Sequence, residues 1–169
     1  MKKVLFLIVA MVTLTTSALM AGIPISKDYK VTIHDELWMD MAVTVAKDGV
    51  KEGGIPCGTV IVLNGALKCV GEPTNKATSV ETAIAMSRMA SLENAVIYTI
   101  NEPTIEAYNM ICRFGADAVY FVNPKEKVIA AGVQPAEAYD ESNLDASLTQ
   151  VPMKQIEYED VGGSQGVEV

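Results

Sequence analysis

The chain has few of the residues on which disulfide-rich and histidine-rich sites depend. Its 169 residues include three cysteines and one histidine, too few for a disulfide framework or a cluster of histidine ligands. Basic residues are also scarce, because 13 lysines and arginines stand against 21 acidic residues, giving a formal net charge of −8. Proteins that bind nucleic acids use clustered lysines and arginines to contact the phosphates. No nucleic acid is therefore expected as a partner.

Apolar residues, in contrast, make up 50% of the chain. A chain of this length and composition can bury a sizeable core, so wholesale disorder is excluded and a single domain is expected. There is no internal repeat and no low-complexity run.

Residues 1–21 have the features of a secretory signal peptide. Lys2 and Lys3 precede an apolar stretch that ends in small residues, and Ala18 and Ala21 both suit the cleavage position. Threonines and a serine interrupt the apolar stretch, which disfavours the alternative of a retained membrane anchor. The sequence therefore predicts an exported protein, periplasmic or secreted, with no membrane attachment after cleavage.

Hydrophobic spacing predicts three helices beyond an extended N-terminal arm at 22–34. Apolar residues recur at threes and fours between residues 35 and 52, and a second helical pattern covers 79–92. A third helix is predicted over 103–114, with Pro103 at its first position.

The segments between these helices are typical of strands. Asn64-Gly65 lies between two apolar runs and predicts a hairpin. AVIYTI at 95–100 and DAVYFV at 117–122 are continuous apolar runs separated by a helix, which indicates parallel strands covered by helices on both faces. The sequence thus predicts an α/β domain over 35–160, followed by a flexible tail at 161–169.

Several segments together resemble the zinc-dependent nucleoside and nucleobase deaminases, the cytidine deaminase-like superfamily. They are KDGVKEGGIPCGTVIVLNGALKCVG, PTNKATS, ETAIAMSRMA, VIYTINEPT, GADAVYFV and VPMKQIEYED. Guanine deaminases and tRNA adenosine deaminases are the most similar members, and the resemblance covers most of residues 35–160. It implies a three-layer α/β/α fold with a mixed sheet of about five strands between helices.

The zinc motifs of that family are not reproduced. In the family, H-x-E and P-C-x-x-C supply one histidine and two cysteines to zinc and a glutamate that transfers protons. At the matching positions, Glu81 replaces the histidine, Ala83 the glutamate, and Thr104 and Ala107 the two cysteines. The family expectation of zinc is therefore not carried over: the sequence predicts no metal, no cofactor and no catalytic residue.

The resemblance still implies a binding pocket. Asn75 matches the asparagine that contacts the base or ribose, and Glu102 matches the glutamate before the second motif. The pocket candidates are Asn75, Cys57, Gly58, Thr59, Glu81 and Glu102. Caps and turns also explain several of them. Purely structural roles are therefore favoured over ligand binding, and both stay open. A cation site that also uses Glu106 and a Cys57 nucleophile without a histidine base are weaker alternatives.

Three functions follow as hypotheses. The first is an exported, catalytically inactive deaminase-fold protein that binds a small molecule or a protein partner. The second is a self-assembling scaffold subunit, because deaminases of this fold are commonly oligomers and the arm could pair with a neighbour's sheet edge; a homo-oligomer is expected in either case. The third is a divergent hydrolase acting on a nucleobase or nucleoside.

Overall fold

A mixed β-sheet forms the centre of the chain. The structure is a computed structural model that describes residues 32–74 and 76–158. The helices are α1 (Ile33–Lys51), α2 (Ser79–Ser87), α3 (Ile105–Phe114) and α4 (Lys125–Ala130), with two short 3₁₀ helices at Ala136–Tyr139 and Glu141–Asn143. The strands are β1 (Thr59–Leu63), β2 (Ala66–Gly71), β3 (Ala95–Asn101), β4 (Ala118–Asn123) and β5 (Met153–Gln155).

The strand order is β2-β1-β3-β4-β5, and the pairing is both parallel and antiparallel. β1 pairs antiparallel with β2 and with β3, whereas β3, β4 and β5 run parallel. The predicted hairpin is confirmed: Asn64 and Gly65 both have positive φ, 51° and 76°, as a two-residue turn of this kind requires. The five-stranded mixed sheet predicted from the family resemblance is likewise confirmed.

Helices pack on both faces of this sheet and give the three layers of the predicted fold. On one face, Met39 and Ala46 of α1 pack against Val60 and Tyr98. The opposite face holds the larger cluster, in which α2 and α3 contact the sheet; its fully buried members include Ala83, Ile97, Ala107, Tyr108 and Ile111. The central strands are thus buried on both sides, which explains their continuous apolar runs.

Threonine caps determine where the first two long helices begin. Thr32 accepts a hydrogen bond from the Asp35 N–H and returns one from its own N–H to the Asp35 carboxylate, a capping box. Thr78 and Glu81 form the same arrangement at the start of α2. Because α1 begins at Ile33, the last two residues of the predicted arm are helical. Residues 22–31 of the arm, the signal segment and the tail at 161–169 lie outside the described residues.

Two helix boundaries differ from the predictions for identifiable reasons. α2 ends at Ser87, five residues early, because Arg88 has left-handed backbone with φ of 53° and such a residue terminates a helix. α3 begins at Ile105 rather than Pro103, because Thr104 is the N-cap and a cap residue has non-helical backbone.

The approach of α1 to the sheet depends on a glycine. A Cβ on Gly58 would lie 2.2 Å from the carbonyl oxygen of Ala42, so only glycine allows the helix to lie this close to the strand. The contact fixes the segment around Cys57, which leads into the site described below. Within residues 32–74 and 76–158, no helix is long and apolar enough to cross a membrane.

Candidate functional site

A cavity of about 450 Å³ opens where the N-termini of α2 and α3 face the segment after α4; we call it the α2/α3 cleft. Its lining includes Cys57, Thr78 and Glu81 on one side and Thr104 and Gln134 on the other. A recess of about 20 Å³ adjoins it and shares all of these residues except Glu81. The structure therefore brings three of the predicted positions, Cys57, Glu81 and Thr104, to one cavity.

The two polar side chains at the family's zinc positions are engaged in capping helices. The Thr78 N–H donates to Glu81 Oε2 at 2.6 Å, and the Glu81 N–H donates to Thr78 Oγ1 at 3.3 Å. At the other helix, the Ala107 N–H donates to Thr104 Oγ1 at 3.2 Å. Both side chains thus satisfy backbone groups that the first helical turn leaves without partners.

The two alanines at the remaining motif positions are core residues. Ala83 and Ala107 are fully buried and line neither the cleft nor the recess. A Cβ on Gly71 of β2 would lie 2.6 Å from the Ala83 Cβ, so Ala83 packs directly on the sheet. A glutamate side chain at this position would place its carboxylate in the core.

These residues do not fit zinc. The ion is held in such sites by thiolate and imidazole ligands, and the four positions offer two methyl groups, a capping hydroxyl and a capping carboxylate. Over the described part of the chain, no group of three or more His, Cys, Asp or Glu side chains is placed to hold a metal ion.

A hydrogen-bonded network of one thiol and three hydroxyl groups lies at the buried end of the cleft. Cys57 Sγ is 2.7 Å from Ser79 Oγ, which is 2.8 Å from Thr59 Oγ1. Thr59 Oγ1 in turn donates to Thr99 Oγ1 at 2.9 Å. Burial raises the pKa of the Cys57 thiol and keeps it protonated, so Cys57 is not an activated nucleophile.

Glu102 and Tyr139 form part of the wall of the recess. Glu102 Oε2 accepts a hydrogen bond from the Lys125 N–H at 2.8 Å, and the Tyr139 hydroxyl donates to the Glu102 carbonyl at 3.1 Å. Burial raises the pKa of the Glu102 carboxyl and of the Tyr139 hydroxyl. Glu102 therefore connects the end of β3 to the start of α4 and to the 3₁₀ helix over the recess.

The other predicted pocket residues have different positions. Gly58 packs against α1, and Thr59 is fully buried below the cleft. Asn75 lies outside the described residues. Glu106 lines the cleft with Glu81, but Glu102 does not, so the three carboxylates of the alternative cation site are not gathered in one cavity.

Sequence reasoning missed Ser79, Thr99 and Tyr139. Thr99 and Tyr139 carry no local signal, because each meets the site only through a long-range contact. Ser79 did have a local signal, because residues 78–81 (TSVE) form a capping-box pattern. That pattern fixes the first turn of α2 and could have located Ser79 at the site.

Comparison with solved structures shows a cytidine deaminase-like fold. No protein-family model matches the chain, and no curated protein matches it in sequence. Guanine deaminase from Bacillus subtilis matches with a TM-score of 0.58 and 27% identity, over 72% of this chain and 84% of that one. Guanine deaminase from Nitrosomonas europaea matches with a TM-score of 0.59 and 13% identity, over 76% and 80% of the two chains.

A structure from a study of A-to-I editing by tRNA:A34 deaminases also matches. Its TM-score is 0.56 at 20% identity, over 71% of this chain and 97% of that one. The resemblance to guanine and tRNA adenosine deaminases that the sequence motifs indicated is confirmed at the level of structure. Two further neighbouring structures are complexes with 8-azaguanine and with 2,6-diaminopurine.

Proposed function

We propose that this protein is an exported, non-catalytic deaminase-fold protein whose α2/α3 cleft binds a small molecule. One observation carries the proposal. The side chains at the family's zinc positions cap helices or fill the core, and yet the cavity between the two helix N-termini remains about 450 Å³. A cavity of this size is ordinary for a small-molecule site.

The cleft lining suits a polar ligand without a large net charge, because Lys76 lies in the same lining as Glu81 and Glu106. Hydroxyl groups of Thr74, Thr78 and Thr104 and the amide of Gln134 supply hydrogen-bond donors and acceptors. The buried end is formed by Cys57, whose thiol is protonated because burial raises its pKa. A heterocycle with several polar edge atoms is the class of ligand that such a surface can orient, and the neighbours that hold purine analogues make a purine the first ligand to test.

Hydrolysis of an amino group needs an activated water and a group that transfers protons. Glu81 is held in its capping box, and Cys57 is uncharged. With no zinc ligands among the motif positions, the cleft supplies neither requirement. These features support binding without turnover.

The test combines binding and turnover on the purified exported protein. Guanine, 2,6-diaminopurine, cytidine and adenosine are titrated by calorimetry, and ammonia release is followed with and without added zinc. We expect a purine to bind and no ammonia to form. Gln134→Leu removes an amide from the cleft and should weaken binding, whereas Gln150→Leu, outside the cleft, should not. Ammonia release that is abolished by a chelator would refute the proposal. Failure of all four compounds to bind would refute it as well.

Export and assembly need their own measurements. Residues 1–21 support export, and mass spectrometry of the protein recovered outside the cytoplasm should show a chain that starts after Ala18 or Ala21. The expected homo-oligomer is tested by light scattering of the same protein over a range of concentrations.

A further inference from the structure

A second cavity lies on the α1 side of the sheet, away from the α2/α3 cleft. It has a volume of about 180 Å³ and lies between α1 and the ends of β3 and β4; we call it the α1 cavity. A neighbouring space of about 280 Å³ shares Pro56, Asn123 and Lys127 with it. The carboxyl ends of adjacent parallel strands, where this cavity opens, are a common place for ligands in α/β proteins.

Most of the wall of the α1 cavity is aliphatic. Its apolar lining residues are Val43, Ala46, Val50, Pro56, Ile100 and Val122. They come from α1, from the turn before β1 and from both parallel strands, so the apolar surface surrounds the space on several sides. An aliphatic group placed there would lose its contact with water, which is favourable by about 0.8 kcal/mol for each methylene.

The polar groups at the cavity favour an anion. Lys47, Lys127 and Tyr158 line it. The Tyr158 hydroxyl donates to the Asp40 carboxylate. Among the described residues no aspartate or glutamate itself lines the cavity or the neighbouring space. This is a local exception in a chain whose net charge is −8. Lys127 lies on α4, and its ammonium makes no ion pair with any described side chain.

Asn123 supplies a second group for an anion. Its side chain is 5% exposed and lines both spaces. Asn123 Nδ2 donates to Asn101 Oδ1 at 3.0 Å. A carboxamide nitrogen carries two N–H groups, and no second acceptor for Asn123 Nδ2 is present within residues 32–74 and 76–158. The carboxamide thus keeps one N–H for a ligand, while Asn123 Oδ1 likewise accepts no hydrogen bond from the described residues.

We propose that the α1 cavity binds a small aliphatic carboxylate. The hydrocarbon chain lies against the valine and isoleucine wall, and the carboxylate accepts hydrogen bonds from Asn123 Nδ2 and Lys127 Nζ. A volume of about 180 Å³ takes a hydrocarbon chain of about six groups, at about 30 Å³ for each water-sized group. The two carboxylate oxygens then lie at the neighbouring space, which Asn123 and Lys127 also line. The site is separate from the α2/α3 cleft and does not depend on what that cleft binds.

The test uses butyrate, hexanoate, octanoate and, as an uncharged partner, 1-hexanol, titrated into the purified exported protein by calorimetry. Binding should strengthen about fourfold for each added methylene and level off near six carbons. Hexanoate should bind about fivefold more tightly than hexanol, because only hexanoate pairs with the ammonium. No binding of any carboxylate at millimolar concentration would overturn the proposal.

Lysine variants on α4 give a matched control. Lys127→Gln should reduce the preference for hexanoate over hexanol, whereas Lys125→Gln should keep it, because Lys125 Nζ pairs with Glu141 at 3.3 Å instead of lining the cavity. Equal hexanoate affinity in the unchanged protein and Lys127→Gln would overturn the assignment. Hexanoate binding to a protein that lacks residues 159–169, but not to the full chain, would mean that these residues occupy the cavity. That result would also overturn the proposal. Purine binding to the α2/α3 cleft should be the same in both variants.

Discussion

The Sγ of Cys57 lies 2.7 Å from the Oγ of Ser79, and this contact joins the segment before β1 to the first turn of α2. Ser79 Oγ is also hydrogen-bonded to the buried Thr59 hydroxyl, which donates to the Thr99 hydroxyl. Each of these polar atoms has a partner, so the network is stable in a low-dielectric interior without any charge. The buried end of the cleft is therefore a rigid, neutral surface, which suits binding and offers no nucleophile.

Thiol accessibility should distinguish Cys57 from the other cysteines. Cys57 and Cys112 are buried, whereas Cys69 is partly exposed in β2. Ellman's reagent should therefore modify Cys69 first, with the other two thiols reacting only as the protein unfolds, because burial blocks access of the reagent to them. Desolvation raises the pKa of both Cys57 and Cys69, so accessibility decides the order. Cys69→Ser should remove the fast phase and Cys57→Ala should leave it. A fast phase that disappears in Cys57→Ala would show an accessible, reactive thiol in the cleft.

The capping role of Glu81 predicts a stability effect. Glu81→Ala removes the acceptor of the Thr78 N–H and should lower the free energy of unfolding by about 1 kcal/mol. Glu106 occupies the first turn of α3 without capping it, so Glu106→Ala should cost less than about 0.5 kcal/mol. Urea denaturation of both variants gives the comparison. Equal losses would mean that the capping box contributes nothing beyond general helix electrostatics.

The fold could be read from the sequence because its signals are local. The apolar runs of β3 and β4 and the Asn64-Gly65 turn are short-range patterns that the final structure keeps. The helix ends were harder to predict, since the cap at Thr104 and the left-handed Arg88 are set by backbone geometry rather than by hydrophobic spacing.

The site was less predictable from the sequence. Aligning residues with the family's motifs does not show which face of a helix lines the cleft. Glu81 and Ala83 are two residues apart on α2, and at about 100° per residue they point to different sides. Glu81 consequently lines the cleft, and Ala83 packs on β2. Tyr139 reaches the recess from 37 residues beyond Glu102, a distance over which a single sequence gives no pairing signal.

The packing of Ala83 predicts that the family's glutamate cannot simply be restored at this position. Ala83→Glu would place a carboxylate in the core beside Gly71, and we expect a loss of more than about 3 kcal/mol in the free energy of unfolding. Ala85→Glu, on the exposed side of the same helix, should change it by less than about 0.5 kcal/mol. Thermal and urea denaturation monitored by circular dichroism measure both. A stable Ala83→Glu protein would mean that this part of α2 faces the cleft instead.

Glu102 predicts a stability difference that depends on pH. Burial raises the pKa of its carboxyl in the folded protein, so its contribution to stability is full below the unfolded pKa and is lost as the pH rises through the folded value. Glutamine has no charge to bury and can still accept the hydrogen bond from the Lys125 N–H. Glu102→Gln should therefore be at least as stable as the unchanged protein at about pH 7, and this advantage should shrink towards about pH 4, where the carboxyl is largely protonated.

Urea denaturation at both pH values measures this difference, with Glu157→Gln as the control on an exposed side chain. The control should change stability little at either pH, because a solvated carboxylate loses no hydration on folding. A large loss of stability in Glu102→Gln at about pH 7 would contradict the prediction. It would mean that the charge-assisted bond from Lys125 outweighs the cost of burying the carboxylate, and Glu102 would then be ionised beside the recess and would favour a cationic group there.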